Sequence, residues 1–283
     1  MLGACTRGVD EPSPTGVELQ RNSGDVTRDI ISLSPSITET IYALGAGKRL
    51  LGVDRFSDQI PAAKPDLESS VLRIFGDAQD PKSEAILAAA PAHILVEGDS
   101  RARSLMALGD NVTAIPSTSL SEILAMWAKV GEICGAKDNA SRFERDLDAL
   151  LEAISFHTPP RVLLTYSSPS EGSLYCVGPS SYQSEVLRRF GAINVLEDVS
   201  TPTPQVSAET LFELDPDAII TILSEEPSLP ATARWEGLKE LRAVKEGQLI
   251  DLAGSEMTLY GPTSLLSFSR ALRKALESWK ASR

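Results

Sequence analysis

Short apolar runs rich in β-branched residues and leucine punctuate the chain at residues 30–33, 51–53, 93–96 and 112–115. They are too brief for buried helices and are bounded by polar or glycine-bearing stretches, so they read as strands. Between them apolar residues recur at three- and four-residue spacing, the period of an amphipathic helix. The alternation resumes after Pro160, with strands expected at 162–166, 218–223 and 248–252. Each half therefore predicts an α/β layer with a mostly parallel sheet, because a helix between two strands returns the chain to start the next strand in the same direction. Between the halves the pattern changes. Leu120, Ile123, Leu124, Trp127, Val130 and Ile133 keep helical spacing up to Gly135. From Asp138 a second helix carries Phe143, Leu147, Leu150, Leu151 and Ile154 on one face and is expected to end near Pro159 and Pro160. That helix is the natural connector, a stiff link that restricts two lobes to small relative tilts. The expected division is a polar tether at 1–28, a first lobe at 29–136, a bridging helix at 137–158 and a second lobe at 159–283.

The halves echo one another at fixed spacing. Glu84 lies seven residues before Pro91 in S-E-A-I-L-A-A-A-P-A-H-I-L-V, and Glu209 lies seven before Pro216 in A-E-T-L-F-E-L-D-P-D-A-I-I-T. A second echo pairs E-T-I-Y-A-L-G at 39–45 with E-V-L-R-R-F-G at 185–191, each a helix segment closing on a glycine C-cap. Glu84 and Glu209 both fall in a first helical turn, where an acid complements the helix dipole, and that alone accounts for either one. Their duplication adds a second sense: two exposed carboxylates at matching points of two lobes can dock a partner that bears paired basic pockets. In L-S-P-S-I-T-E at 33–39, Ser36 and Glu39 have the spacing of a capping box. The same segment, around Ser34, places a helix N-terminus at the end of a strand, where α/β folds admit ligands.

Composition narrows the chemistry. With 39 Asp and Glu against 27 Lys and Arg the 283-residue chain carries a formal charge of −12, the wrong sign for a nucleic-acid partner. Its longest apolar runs are about five residues, far short of the ~20 that cross a bilayer. The two histidines (His93, expected in a strand, and His157, expected at a helix end) and three cysteines are too scattered for a ligand cluster, so no protein-held metal or cofactor is expected. Cys134 and Cys176 read as small core residues. Gly45, Gly47 and Gly52 follow a helix and do not make a dinucleotide loop. No G-x-S-x-G elbow occurs, and Ser180, Ser181 and Tyr182 have no histidine nearby to serve as base, so no catalytic residue is assigned. Among seven Phe, five Tyr and three Trp, the rings near expected strand ends are Phe56, Phe75, Tyr166, Tyr182 and Tyr260, candidates for stacking on a large flat ligand. Arg55 and Arg73 can pair with carboxylate, catecholate or amide oxygens.

Two resemblances follow. L-G-A-C at 2–5, followed by a polar stretch, resembles the lipobox of bacterial lipoproteins, which implies lipidation at Cys5; that pattern has a basic and an apolar stretch ahead of it, where only Met1 stands here. The runs L-S-P-S-I-T-E at 33–39, G-V-D-R-F-S-D at 52–58, the Glu84 segment, the helix from Asp138 and P-Q-V-S-A-E at 204–209 resemble the class III periplasmic binding proteins. These serve ABC importers for cobalamin, ferric siderophores and haem, and the likeness is strongest to the vitamin B12-binding members. Membership implies two Rossmann-like lobes joined by a single long bridging helix, and a large metal-chelate ligand held in the cleft between them. It also implies a location in the periplasm or at the outer face of the membrane, held only by a lipid anchor. It further implies docking of Glu84 and Glu209 on arginines of a permease dimer that works with its ATPase. The positions matching the aromatic grip of B12 binders are Phe56, Phe75 and Thr203, where Thr203 stands in place of a tryptophan and Glu97 in place of another aromatic. The expectation is a corrinoid-binding transport component, with a ferric siderophore or haem as the alternative within the class. A two-lobed α/β enzyme is the alternative outside it.

Overall fold

The computed structural model describes residues 27–171 and 174–281, and Cys5 lies outside the described residues. The first half runs β1 (Ile30–Ser32), α1 (Pro35–Ala43), β2 (Leu50–Val53), α2 (Lys64–Glu68), β3 (Arg73–Ile74), α3 (Ser83–Ala89), β4 (His93–Glu97), α4 (Asp99–Leu105) and β5 (Val112–Ile115). Two helices follow, α5 (Leu120–Cys134) and α6 (Lys137–Leu150). The second half opens with β6 (Arg161–Thr165), β7 (Leu174–Tyr175), α7 (Tyr182–Arg189), β8 (Ile193–Asn194), β9 (Gln205–Val206), α8 (Ala208–Leu214) and β10 (Ala218–Leu223). It closes with α9 (Ala231–Arg234), α10 (Arg242–Lys245), β11 (Leu249–Ala253) and α11 (Pro262–Ala281).

The first sheet has the order β3-β2-β1-β4-β5 and the second β8-β6-β10-β11, and all their pairings are parallel. A small antiparallel pair, β7 with β9, stands apart. The orders coincide when β2-β1-β4-β5 is laid on β8-β6-β10-β11, with α1 matching α7, α3 matching α8 and α5 matching α11. The spacing echo in the sequence is therefore a duplication of topology. Gly45 (φ +81°) and Gly191 (φ +88°) both take the left-handed conformation just past α1 and α7, as their matched places require. All seven expected strands are present to within one residue at each end. The two-residue strands β3, β7, β8 and β9 are additions, too short to show any alternation in sequence.

Strand periodicity sorts the core into three layers. Ile30 and Leu95 of the first sheet, with Val162, Leu164 and Ile220 of the second, join Trp127, Leu147 and Phe268 in one cluster that runs through both halves. The alternate residues Ile31, Ile94 and Val96 pack outward with Ile86 and Leu105, while Leu163 and Ile219 pack outward with Leu211 and Trp235. The inner faces of the two lobes thus share a single apolar layer.

Three expectations are corrected. The second connecting helix ends at Leu150, not near Pro159, because its last carbonyls are taken by another helix: Arg273 Nη1 of α11 donates to Leu150 O at 3.0 Å and Glu152 O at 2.8 Å. The chain then runs on without helix, Ile154 N–H donating to Phe190 O at 3.0 Å, so Leu151 and Ile154 are buried as expected but off the helix. His157 accordingly lies in this connecting stretch and not at a helix end. At α1 the cap is Ser34, whose hydroxyl accepts Ile37 N–H, and no Ser36–Glu39 box forms. Pro35 is the reason: its fixed φ and missing N–H suit the first helical position, which moves the cap one residue before it.

Because the central layer crosses both halves, unfolding is expected to be one cooperative transition, with tryptophan fluorescence and far-ultraviolet circular dichroism giving coincident urea curves. Trp127 is 1% exposed, and Trp127→Ala is expected to cost about 3–5 kcal/mol and to lower the midpoint for both lobes together. Two separated transitions would contradict a shared core.

Candidate functional site

In a parallel sheet the segments leaving the carboxyl ends of the strands lie along one edge, and that edge is where α/β folds place their ligands. On the first sheet it carries Ser34 after β1, Asp54 to Phe56 after β2, Phe75 after β3, Glu97 at the end of β4 and Ser117 after β5. On the second it carries Tyr166 after β6.

Five of the sequence-derived candidates meet where the halves touch. The Ser34 hydroxyl donates to Glu97, whose other oxygen pairs with Arg101 at 3.3 Å. Tyr260, from the segment before α11, brings its phenol to Ser117 Oγ at 3.1 Å and to the Glu97 carboxylate. Its ring meets that of Tyr182 edge-on, centroids 5.7 Å apart, and its carbonyl accepts Trp127 Nε1–H at 3.1 Å. Tyr166 accepts from Gln183 Nε2 at 2.8 Å, next to Tyr182 at the start of α7. Burial pushes the Tyr166 phenol up to about 12 and the Tyr182 phenol well above its ordinary value. Burial and then the negative charge of Glu97 raise Tyr260. These phenols are neutral hydrogen-bonding groups at physiological pH, with Glu97 beside Tyr260 and Glu39 near Tyr182.

The other first-lobe candidates form a second group. Asp54 organises its loop by accepting Phe56 N–H at 2.7 Å and the Ser57 hydroxyl at 2.6 Å, and its burial raises the carboxyl above the ordinary value. Phe56 is left 50% exposed, with the Arg55 guanidinium 5.1 Å from its ring centre and ion-paired to Asp77. Phe75, by contrast, is 1% exposed within the outer core layer. The exposed Arg73 covers its ring at 4.9 Å. Of the two phenylalanines, only Phe56 presents an open ring. Thr203 is exposed on the loop before β9, the loop whose Thr201 carbonyl closes tightly over Gly178. A mapped concavity of about 470 Å³ lies beside this group and is lined by Glu39, Ile60, Pro61, Glu256 and Leu259, not by Phe56, Tyr166 or Thr203.

Glu84 and Glu209 occupy matched ground. Each is exposed at the second position of a seven-residue helix, two residues before a fully buried apolar residue (Ile86, Leu211) and three before an exposed one (Leu87, Phe212). Each helix closes on a left-handed non-glycine residue, Ala90 or Asp215. The short links from α3 to β4 and from α8 to β10 put each glutamate at the carboxyl edge of its sheet.

Sequence reading missed one role. Glu39 is buried, and its Oε1 accepts the Ser264 backbone N–H at 2.8 Å in the first turn of α11, while Oε2 is buried without a hydrogen-bond partner. Burial pushes its carboxyl above the ordinary range, and the amides of the α11 first turn oppose that rise. The 39–45 and 185–191 echo carried the signal, since it puts Glu185 at the matched point, where its Oε1 accepts Leu120 N–H at 3.3 Å. Among the described residues no helix is long and apolar enough to cross a membrane, and no cluster of three or more His, Cys, Asp or Glu is placed to hold a metal ion.

Comparison with known proteins bears on this arrangement. A family model described as periplasmic binding protein matches residues 30–255. An uncharacterized ABC transporter substrate-binding lipoprotein, YvrC of Bacillus subtilis, is 26% identical over 268 residues, covering 90% of this chain and 80% of that protein. The vitamin B12-binding protein of Pectobacterium atrosepticum is 28% identical over 236 residues, covering 78% and 81%. Among solved structures, the periplasmic vitamin B12 binding protein of Vibrio cholerae gives a TM-score of 0.67 at 25% identity, covering 89% of this chain and 97% of that one.

The buried Glu39 gives a pH signature. Its folded form holds a proton more tightly than the unfolded chain, whose ordinary value is 4.5, so its ionisation opposes folding. Its contribution is most favourable below 4.5 and is lost as pH rises toward the raised folded value. Glu39→Gln keeps an acceptor for Ser264 N–H without that loss. The melting temperature of the variant minus that of the parent is therefore expected to grow from pH 4 upward, and a flat difference would refute the buried-acid assignment.

Proposed function

The chain belongs to the periplasmic binding protein family, and from that premise we propose that it is the substrate-binding component of an ABC importer, holding a corrinoid between its two lobes and performing no chemistry on it. The observation that carries this reading is the meeting of Ser34, Glu97 and Tyr260 with Tyr182 and Tyr166, which brings the carboxyl edges of two matched sheets to one place. Phe56, half exposed at the rim, offers a face to a corrin ring, while Arg55 and Arg73 offer donors to its amide side chains. The vitamin B12-binding relatives support the same ligand class. A ferric siderophore is the second reading, favoured by those two exposed guanidiniums, which suit carboxylate or catecholate oxygens. Haem is the third reading, since neither His nor Met stands among the residues brought together here. Ser34, Arg55, Phe56, Arg73, Glu97, Tyr166, Tyr182, Thr203 and Tyr260 are the residues assigned to the ligand, with Phe75 supporting the Phe56 loop from the core.

The partner in this reading is a permease dimer with its ATPase, met through Glu84 and Glu209. Leu87 and Phe212 extend each contact, since residues three apart on a helix share a face. The protein acts outside the cytoplasm, and Cys5, if acylated, ties it to the membrane. Two lobes sharing a core imply a small tilt on ligand binding, not a wide closure.

Titration calorimetry with cobalamin, cobinamide and ferric chelates tests the ligand. Corrinoid binding is expected, weakened about tenfold in Phe56→Ala, equivalent to roughly 1.4 kcal/mol of lost ring contact. Binding of ferric chelates alone would replace the corrinoid by a siderophore. The double variant Glu84→Ala/Glu209→Ala is expected to retain that affinity while uptake through the cognate permease falls, and unchanged uptake would remove the docking assignment.

A further inference from the structure

The contacts between the halves repeat with the same symmetry as the topology. In α1, Ser36 Oγ accepts Tyr260 N–H at 3.3 Å and Glu39 Oε1, three residues on, accepts Ser264 N–H at 2.8 Å, so the first lobe reaches across to the segment that opens α11. In α7, the matched helix, Tyr182 N–H donates to Thr118 O at 3.2 Å and Glu185 Oε1, again three residues on, accepts Leu120 N–H at 3.3 Å, so the second lobe reaches back to the segment that opens α5. The helices involved, α5 and α11, are themselves the matched pair that closes each lobe. The first-turn amides of a helix have no backbone partner within it; at α11 the Ser264 amide is met by Glu39 from the opposite lobe, and at α5, where Ser119 and Glu122 form a capping box, the remaining Leu120 amide is met by Glu185 from the opposite lobe. The two caps differ in depth, Glu39 being buried and Glu185 half-buried.

We propose that Glu39 and Glu185 form a reciprocal pair of inter-lobe caps that fix the angle between the lobes, so that removal of either frees the lobes to tilt. The two contacts lie on different helix pairs, α1 with α11 and α7 with α5, so the lobes are held at two points rather than one. The pair thereby sets the resting width of the space between the sheet edges. The proposal concerns the lobe geometry alone and stands whether the ligand is a corrinoid, a siderophore or something else.

The test is electron–electron double resonance on the ligand-free chain. Spin labels are placed at Leu87→Cys and Phe212→Cys, exposed positions on opposite lobes, in a background in which Cys5 and Cys134 are replaced by serine. Cys176 is fully buried, with its thiol pushed up to about 12, and takes no label. The parent is expected to give one narrow distance distribution. Glu39→Ala and Glu185→Ala are each expected to shift it and broaden it roughly twofold, and Glu39→Gln, which retains an acceptor, is expected to keep it narrow. Tyr42→Phe removes a side-chain hydrogen bond to Asp66 within the first lobe, away from both labelled helices, and is expected to leave the distribution unchanged, which separates a fixed angle from general loss of stability. Distributions in both alanine variants that match the parent, or equal broadening in Tyr42→Phe, would overturn the proposal. Should Glu39→Ala fail to fold, Glu185→Ala alone decides by the same criteria.

Discussion

The apolar layer shared by the two sheets is the constraint from which the rest of the molecule follows. Ile30 and Leu95 on one side and Leu164 and Ile220 on the other are fully buried in one cluster, so the lobes cannot part without opening that cluster to water. Each fully buried aliphatic side chain is worth about 1.5–3 kcal/mol, and a separation that exposed even a few of them would cost as much as a typical domain's whole stability. Motion between the lobes is therefore confined to rotations that keep the layer closed. Within that limit directional contacts between the halves bear on the angle, among them Glu39 to Ser264, Glu185 to Leu120, Trp127 to the Tyr260 carbonyl and Ser117 to the Tyr260 phenol.

How much of this could be read from sequence follows from the range over which each interaction acts. Strands of three or more residues were legible because their apolar runs are local and bounded. The two-residue strands had no period to show. The lobe repeat was legible because Glu84 with Pro91 and Glu209 with Pro216 keep their spacing within single segments. The end of α6 was not, since what stops it is Arg273, 123 residues away from the Leu150 carbonyl it takes. Glu39 was misassigned for the same reason: its partner, Ser264, is 225 residues distant, and a local capping box was the only pairing that spacing could suggest. Ser34, Glu97 and the three tyrosines lay at expected strand ends, yet their convergence depends on the packing of one lobe against the other.

The electrostatics of the site follow from the same packing. A tyrosine at the surface is an amphipathic ring with a wet hydroxyl, whereas Tyr182 is 5% exposed and the phenols around it are held to their protons by desolvation. The Glu97 carboxylate at the meeting of the sheets is engaged by Ser34, Arg101 and Tyr260. Exposed guanidiniums stand at Arg55, which is ion-paired to Asp77, and at Arg73 on β3. In the proposed function a ligand between the lobes would meet guanidinium groups and one exposed ring first, then neutral hydroxyls and a carboxylate already engaged. That gradient suits a large solute rich in amides or carboxylates around a flat centre better than a compact ion, which would need a concentrated charge at the floor.

Coupling between capture and release then has a physical route. The exposed helix ends at Glu84 and Glu209 lie at the same carboxyl edges as the residues assigned to the ligand, so in the proposed function a partner that gripped both would set the spacing of those edges directly. As proposed, the crossed caps would resist that change from just behind the same edges, since α1 and α7 each begin at a carboxyl edge and carry their glutamates one turn along. A partner with its two grips spaced away from the resting angle has to work against both caps at once, and the strain falls on the segment shared by cap and ligand, Tyr260 with its neighbours. Loosening a ligand by docking thus requires no wide opening of the lobes, only enough rotation to displace Tyr260 from Ser36, Ser117 and Glu97.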